Sequence, residues 1–113
     1  MTPPDPRRYR RYPLRIAAEV GSGGRVQVCE TVDVSAGGCR VGVLFPLQKG
    51  ELVRIRLRSD RVPEEPSGSA SVAWATREPP YMVGLQFADP LVEQAGPFLR
   101  RLLGPVQLRT DGD

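Results

Sequence analysis

The chain has 113 residues, a length that supports one hydrophobic core and excludes two domains of ordinary size. Its 12 glycines and 12 prolines, beside 40% apolar residues, are typical of a turn-rich β protein. The net charge is +3, and no apolar stretch approaches the ~20 residues of a membrane helix, so membrane insertion is not expected.

The composition gives little support for catalysis. Histidine is absent, and Cys29 and Cys39 do not form a C-x-x-C metal pair. No nucleophile stands beside a base and no Gly-rich phosphate loop precedes a helix, so we expect neither an enzyme nor a bound cofactor. A disulfide is allowed by the count of cysteines. Because the amino terminus does not resemble a signal peptide, a reducing cytoplasmic setting is the expectation.

The first residues are dominated by arginine. Residues 1–6 are polar and rich in proline, which predicts a flexible leader. Five arginines then fall within nine positions: Arg7, Arg8, Arg10, Arg11 and Arg15. Such a cluster alone is typical of a solvated tail or of a nonspecific contact with a polyanion.

Period-two alternation from about residue 14 to residue 88 predicts six strands. The first strand has an inward face of Leu14, Ile16, Ala18 and Val20. The second strand, from about residue 25 to residue 35, has predicted inward positions at Val26, Val28, Val32 and Val34. Glu30 shares that inward parity, so we expect a bulge or bend near residues 29–31. The opposite parity then places Asp33 and Ser35 side by side on the outer surface.

The remaining strands follow the same alternation. The third strand has Cys39, Val41 and Val43 inward. The fourth has Val53, Ile55 and Leu57 inward, and Arg54, Arg56 and Arg58 on an outer face that is interpreted as solvated. Residues 59–68 predict an exposed connection. The fifth strand, about 69–77, contains Val72 and Trp74. The tryptophan is interpreted as a core or helix-packing residue, with a base-stacking platform as the alternative. The sixth strand covers about residues 81–88.

Helical spacing of apolar residues is found only near the carboxyl end, where it predicts a helix over about residues 91–103. Gly96-Pro97 predicts a kink or restart within the helix, and Gly104-Pro105 predicts its end, with residues 104–113 as a frayed tail. The elements together predict an all-β fold, a six-stranded antiparallel β-barrel with one C-terminal α-helix packed over one opening.

Two clusters match the two edges of a guanine base. An arginine fork can donate to the O6 and N7 atoms of guanine, pair with phosphate oxygens and stack on a purine. A carboxylate such as Asp33, with Ser35 on the same face, suits the N1–H and N2–H donors of the other edge. Gly38 fits a position that takes a positive φ or lets a ligand approach the backbone closely.

The spacing of these residues resembles the two signature motifs of the PilZ domain family. Arg7-x-x-x-Arg11 precedes Tyr12-Pro13, and Asp33-x-Ser35-x-x-Gly38 follows about twenty residues later. Val72-x-Trp74 and residues 81–87 are similar to that family's last two strands. The resemblance covers about residues 7–103, with the arginine segment at 7–13, the barrel at about 14–88 and the helix at about 91–103.

This resemblance implies a PilZ-like barrel of the split-barrel type that binds cyclic di-GMP between its outer surface and its N-terminal segment. The ligand-binding residues that it implies are Arg7, Arg8, Arg11, Asp33, Ser35 and Gly38, with Arg10, Gly37 and Arg40 as secondary candidates. Pro6 stands where many members carry a further arginine. That departure favours a single bound molecule over a stacked pair.

The leading hypothesis for function is a bacterial second-messenger receptor that relays ligand binding to an unidentified downstream protein by a conformational change. A ligand-independent PilZ-type adaptor that acts through protein contacts is the alternative. Nonspecific binding by a basic barrel is a third class, which predicts an affinity for nucleic acid that falls steeply with salt. DNA and RNA are not the expected partners.

Overall fold

The structure is a computed structural model that describes residues 9–111. Its elements are β1 (Ala17–Ser22), β2 (Arg25–Val34), β3 (Gly38–Val43), β4 (Leu52–Arg58), β5 (Ser67–Ala75), β6 (Tyr81–Phe87) and α1 (Leu91–Asp111). The strands form a closed antiparallel barrel in the order β1-β2-β3-β6-β5-β4. The predicted fold class, six strands and one C-terminal helix, is confirmed.

Closure of the barrel depends on β1, which pairs with β2 on one side and with β4 on the other. Every strand therefore has two hydrogen-bonded neighbours, and the barrel leaves no open sheet edge. The pairing of β3 with β6 brings residues 38–43 beside residues 81–86.

Alternation along β4 illustrates how the sequence builds the core. Val53, Ile55 and Leu57 are buried, and the three arginines between and after them are exposed, as predicted. Arg58 pairs with Glu19 at 2.8 Å, and Arg56 lies 3.6 Å from Glu65. These exposed pairs support the interpretation of the outer face of β4 as solvated, and each contributes little to stability.

The predicted orientation of the first half of β2 is wrong. Val26 and Val28 are 68% and 66% exposed, and the buried positions of this half are Gln27, Cys29 and Thr31. The register shift lies between Thr31 and Asp33, later than predicted. The residues of β2 before this bulge therefore face the side of the sheet opposite to the predicted one.

The cost of burying a charge explains this orientation. It turns Glu30 outward, where the carboxylate lies 3.4 Å from Arg15. Two exposed valines forgo about 1.5–3 kcal/mol each, whereas a buried, unpaired carboxylate costs several kcal/mol. The polar groups that turn inward are satisfied: Thr31 Oγ1 accepts from the N–H of Ile16, and Gln27 Oε1 accepts from the N–H of Leu44.

The first helical segment of α1 ends at Gly104, which has φ 80 and ψ 166, so the predicted end of the helix is confirmed. This segment keeps helical backbone angles through Gly96-Pro97, where a kink or restart was predicted. Pro97 removes one backbone donor from the helix, and Gly96 before it has no Cβ to meet the proline ring. Residues 105–111 form a further helical segment after the kink at Gly104.

One face of α1 covers the barrel, with Leu91, Ala95, Phe98, Leu99 and Leu102 buried. The side chain of Leu91 lies against Gly68 at the start of β5, so the helix begins directly over the strand ends. Within residues 9–111, no helix is both long and apolar enough to cross a bilayer.

Candidate functional site

The turn between β2 and β3 is held together by Ser35. Its Oγ accepts hydrogen bonds from the N–H groups of Gly37 and Gly38, both at 3.1 Å, and donates to the carbonyl of Gly38 at 3.2 Å. The residue is only 2% exposed. Ser35 therefore builds the turn with its hydroxyl, whereas the sequence suggested a hydroxyl that lies open on the outer surface. Its contact with a ligand stays a prediction.

Gly38 is required by the packing of two strands. A Cβ at this position would lie 2.1 Å from the carbonyl oxygen of Leu85 on β6, a distance that no side chain can adopt. The positive-φ glycines of the described chain are Gly23, Gly24, Gly50 and Gly104, so Gly38 has an ordinary backbone conformation. Gly38 is needed for a close approach and not for a positive φ. The group that approaches it is the backbone of Leu85 on β6.

Asp33 and Arg40 form an ion pair beside this turn. The two residues are partners in the β2–β3 ladder, so their side chains share a face of the sheet. Asp33 Oδ2 accepts from Arg40 Nε at 2.7 Å and lies 2.5 Å from the second guanidinium nitrogen. The hydrogen bond to Asp33, and then its charge, raises the pKa of Arg40. The Asp33 side chain is 9% exposed and that of Arg40 is 40% exposed, so the predicted open carboxylate is in fact covered.

The N-terminal segment docks on the same turn. Tyr12 pairs with Val34 through two backbone hydrogen bonds of 2.9 Å, from Tyr12 N–H to the Val34 carbonyl and from Val34 N–H to the Tyr12 carbonyl. The ring of Tyr9 lies directly on Gly37, where a Cβ would be 2.4 Å from its Cδ2 atom. The chain from residue 9 to residue 12 is thus attached to the end of β2 and to the turn that follows.

A small cleft lies where these parts meet. Its lining includes Arg11, Asp33, Ser35, Gly38, Cys39 and Arg40. The structure therefore brings Arg11, Asp33, Ser35 and Gly38 together, as the paired motifs imply, and adds the secondary candidate Arg40. Arg7 and Arg8 lie outside the described residues. Gly37 contacts the docked segment, and Arg10 is not part of the cleft lining.

Trp74 belongs to this site rather than to the core. It is 38% exposed, lines the cleft and lies over Gly84, where a Cβ would be 2.2 Å from Nε1. A register shift between Val72 and Trp74 turns the indole to the outer face. Gly84 is the ladder partner of both Trp74 and Arg40, so these two side chains flank a position without a side chain. A glycine opposite an aromatic residue is the sequence signal that could have located this platform.

The size of the cleft limits what it can hold. Its volume is about 80 Å³, whereas pockets for whole drug-sized ligands occupy about 300–1,000 Å³. The cleft can take the edge of a flat ring. The remainder of a larger ligand would lie on the outer surface, toward the N-terminal segment.

Reactive chemistry has little support at this site. Cys39 lines the cleft, but burial, the charge of Asp33 and Cys29 all raise its pKa. Burial also raises the pKa of Cys29, and both thiols are free. A protonated thiol is a poor nucleophile and a poor metal ligand. No group of three or more potential metal ligands occurs in the part of the chain that the structure describes.

Replacing Gly37 by alanine tests the docking of the N-terminal segment. The new Cβ would collide with the ring of Tyr9, a side chain near the beginning of the described chain that can move away. We expect the free energy of unfolding to change by less than about 0.5 kcal/mol. The NMR signals of the Tyr9 ring should shift toward solvent-exposed positions.

The matched variant is Tyr9→Ala, which removes the ring itself. In a double-mutant cycle, the two substitutions should be non-additive, because both disrupt one contact. Additive effects, or a Gly37→Ala variant that loses the folded barrel, would contradict the docked arrangement.

The fold and the cleft define a small closed β-barrel domain that carries an arginine and a carboxylate in a cleft on its outer face. The family model of the PilZ domain matches residues 5–104, and the chain belongs to this family. None of the curated proteins matches the sequence.

The chain is similar to several solved structures, including these two. The Bacillus subtilis inhibitor of motility (MotI/DgrA) has a TM-score of 0.68 and 19% identity, over 88% of this chain and 52% of that one. The PilZ domain of CeSA from a cellulose-synthesizing bacterium has a TM-score of 0.61 and 24% identity, over 80% of this chain and 98% of that one. The present chain spans about half the length of the first of these proteins. Both likenesses support the fold.

Proposed function

We propose that this domain is a cytoplasmic receptor for cyclic di-GMP that passes the binding signal to a partner protein. The observation that carries the proposal is the single cleft lined by Arg11 and Asp33, which the two family motifs supply from distant parts of the sequence. PilZ domains are in general receptors or adaptors rather than enzymes. The two free, buried cysteines agree with a reducing compartment.

The chemistry of the cleft suits guanine. The N1–H and N2–H groups of guanine donate in parallel, and the carboxylate of Asp33 offers two acceptor oxygens. Adenine presents an acceptor at N1, which a carboxylate repels. This difference gives the site a physical means to prefer cyclic di-GMP over cyclic di-AMP.

The other side chains of the cleft suit the rest of the ligand. Arg11 is exposed and can pair with a phosphate or with the O6 and N7 edge of the base. Trp74 presents a partly exposed indole on which a purine can stack, a contact worth about 1–3 kcal/mol for each base. Arg7 and Arg8 precede the docked segment and are proposed to complete the contacts with phosphate and base.

A route for the signal follows from the attachment of the N-terminal segment. Tyr9 and Tyr12 fix this segment to the residues on either side of Ser35. A ligand that binds between the segment and the barrel would change how residues 9–12 lie on the barrel. The surface thereby presented to a downstream protein would differ between the free and the bound states.

A calorimetric titration of the purified protein tests the proposal directly. Cyclic di-GMP should produce saturable heat, and cyclic di-AMP and GTP should produce none at the same concentrations. Binding should weaken only moderately between 50 and 200 mM salt, since a nonspecific polyanion site would lose affinity by orders of magnitude over this range. A flat titration with cyclic di-GMP would overturn the receptor proposal.

The second candidate function is an adaptor that binds a protein partner without the nucleotide. It is favoured by the ion pair between Asp33 and Arg40, in which a side chain of the protein itself is the partner of the key carboxylate. One structurally similar protein is an inhibitor of motility, a role that a protein contact can perform. The same titration separates the two candidates.

A further inference from the structure

We propose that Arg40 is a built-in competitor of the ligand: its guanidinium occupies the side of Asp33 that guanine must reach, and binding displaces it. This inference rests on the proposed function and adds a regulatory residue to the site. Three observations carry it: the donor geometry of the pair, the unequal exposure of its members and the space available to a displaced Arg40.

The donor geometry of Arg40 imitates a guanine edge. Two adjacent N–H groups of the guanidinium, Nε and a terminal nitrogen, approach Asp33 Oδ2 at 2.7 and 2.5 Å. The N1–H and N2–H groups of guanine are likewise adjacent, coplanar donors. Both contacts of Arg40 converge on Oδ2, so the guanidinium occupies one of the two carboxylate oxygens to which the parallel donors of guanine would bind.

Arg40 is the more exposed member of the pair, so it is the side chain that can move to free Asp33. The Asp33 side chain is 9% exposed and the Arg40 side chain is 40% exposed. Guanine is a ring that must approach Asp33 edge-on, and the guanidinium at Oδ2 occupies part of that approach. The group of the pair that faces solvent, and that can leave, is the guanidinium.

Solvent is accessible to a displaced Arg40 side chain. Its ladder partner on β6 is Gly84, and the indole of Trp74 lies over this glycine, so the displaced guanidinium cannot settle there. The Arg40 side chain is already 40% exposed, and a long arginine side chain can turn its guanidinium outward into solvent, where the charge is hydrated.

The test compares Arg40→Met with the matched variant Arg54→Met. Both substitutions remove one positive charge from the outer face of a strand, and Arg54 is on β4, three strands away from β3 around the barrel. Removing a positive charge should slightly weaken the binding of an anionic ligand. Removing a competitor should strengthen it, and we expect Arg40→Met to bind cyclic di-GMP about tenfold more tightly than Arg54→Met.

A second measurement uses the wild-type protein and does not depend on the variant. The Nε–H NMR signal of Arg40 should be protected from exchange with water in the free protein, because it donates to Asp33. Saturation with cyclic di-GMP should remove this protection. A signal that keeps its position and protection in the complex would show that Arg40 stays on Asp33 and would overturn the inference.

The outcomes separate this inference from the proposed function. If the wild type binds and Arg40→Met binds no more tightly than Arg54→Met, the competitor is ruled out and the receptor stands. If only Arg40→Met binds, the wild type is not a receptor, and the displacement of Arg40 by the ligand is refuted together with the proposed function. If none of the three proteins binds, the receptor proposal fails, and the inference fails with it.

Discussion

Asp33→Asn should weaken the binding of cyclic di-GMP by at least about 100-fold, or about 2.7 kcal/mol. The substitution keeps the shape of the side chain and replaces one acceptor oxygen by an amide donor. Two charge-assisted hydrogen bonds to guanine are lost, each worth about 1.5–3 kcal/mol, and the new donor faces the donors of the base. Calorimetry on the folded variant measures the change.

The charge-matched control for this variant is Asp60→Asn, an exposed position in the connection after β4. It removes the same charge without touching the cleft and should leave the affinity within about twofold of wild type. A folded Asp33→Asn protein whose affinity stays within threefold of wild type would refute the assignment of Asp33.

Gly38→Ala should reduce the free energy of unfolding by about 3 kcal/mol or more. The added Cβ would lie 2.1 Å from a backbone carbonyl, that of Leu85, so relief requires β3 and β6 to separate. Overpacking of a rigid interior typically costs 1–3 kcal/mol, and a clash with backbone lies at the upper end because no side chain can turn away. Urea denaturation at an unchanged m-value measures the loss.

Gly42→Ala is the control on the same strand. There the nearest atom to an added Cβ is the sulfur of Met82 at 3.5 Å, an ordinary contact with a flexible side chain. We expect a change in stability of less than about 1 kcal/mol. Equal destabilisation by the two variants would show that the approach of Leu85 to Gly38 has no special role.

The orientation of a strand could be predicted from the sequence wherever all apolar residues fell on one face and all charged residues on the other. On β4, apolar and charged residues alternate without exception, and the predicted orientation was correct. On β2, valines and a glutamate shared one parity, and the sequence offered two orientations. The choice between these two orientations depends on hydrogen-bond partners elsewhere in the fold. Thr31 and Gln27 can face inward because they accept hydrogen bonds from the backbone N–H groups of Ile16 and Leu44.

The sequence predicted that the motif residues lie together, but it did not predict the contacts around them. Arg11, Asp33, Ser35 and Gly38 line one cleft, as their spacing implied. The outward turn of Trp74 depends on a bulge in β5, and the pairing of Asp33 with Arg40 depends on a bulge in β2. A bulge reverses the parity of every following residue, so neither contact can be read from alternation alone.

The backbone pairing of Tyr12 with Val34 makes the assembly of the site an intramolecular event. Arg11 directly precedes Tyr12 in the chain, and Asp33 directly precedes Val34. Two groups joined in one molecule meet at an effective concentration that does not depend on how dilute the protein is. The arginine and the carboxylate are therefore presented together at any protein concentration.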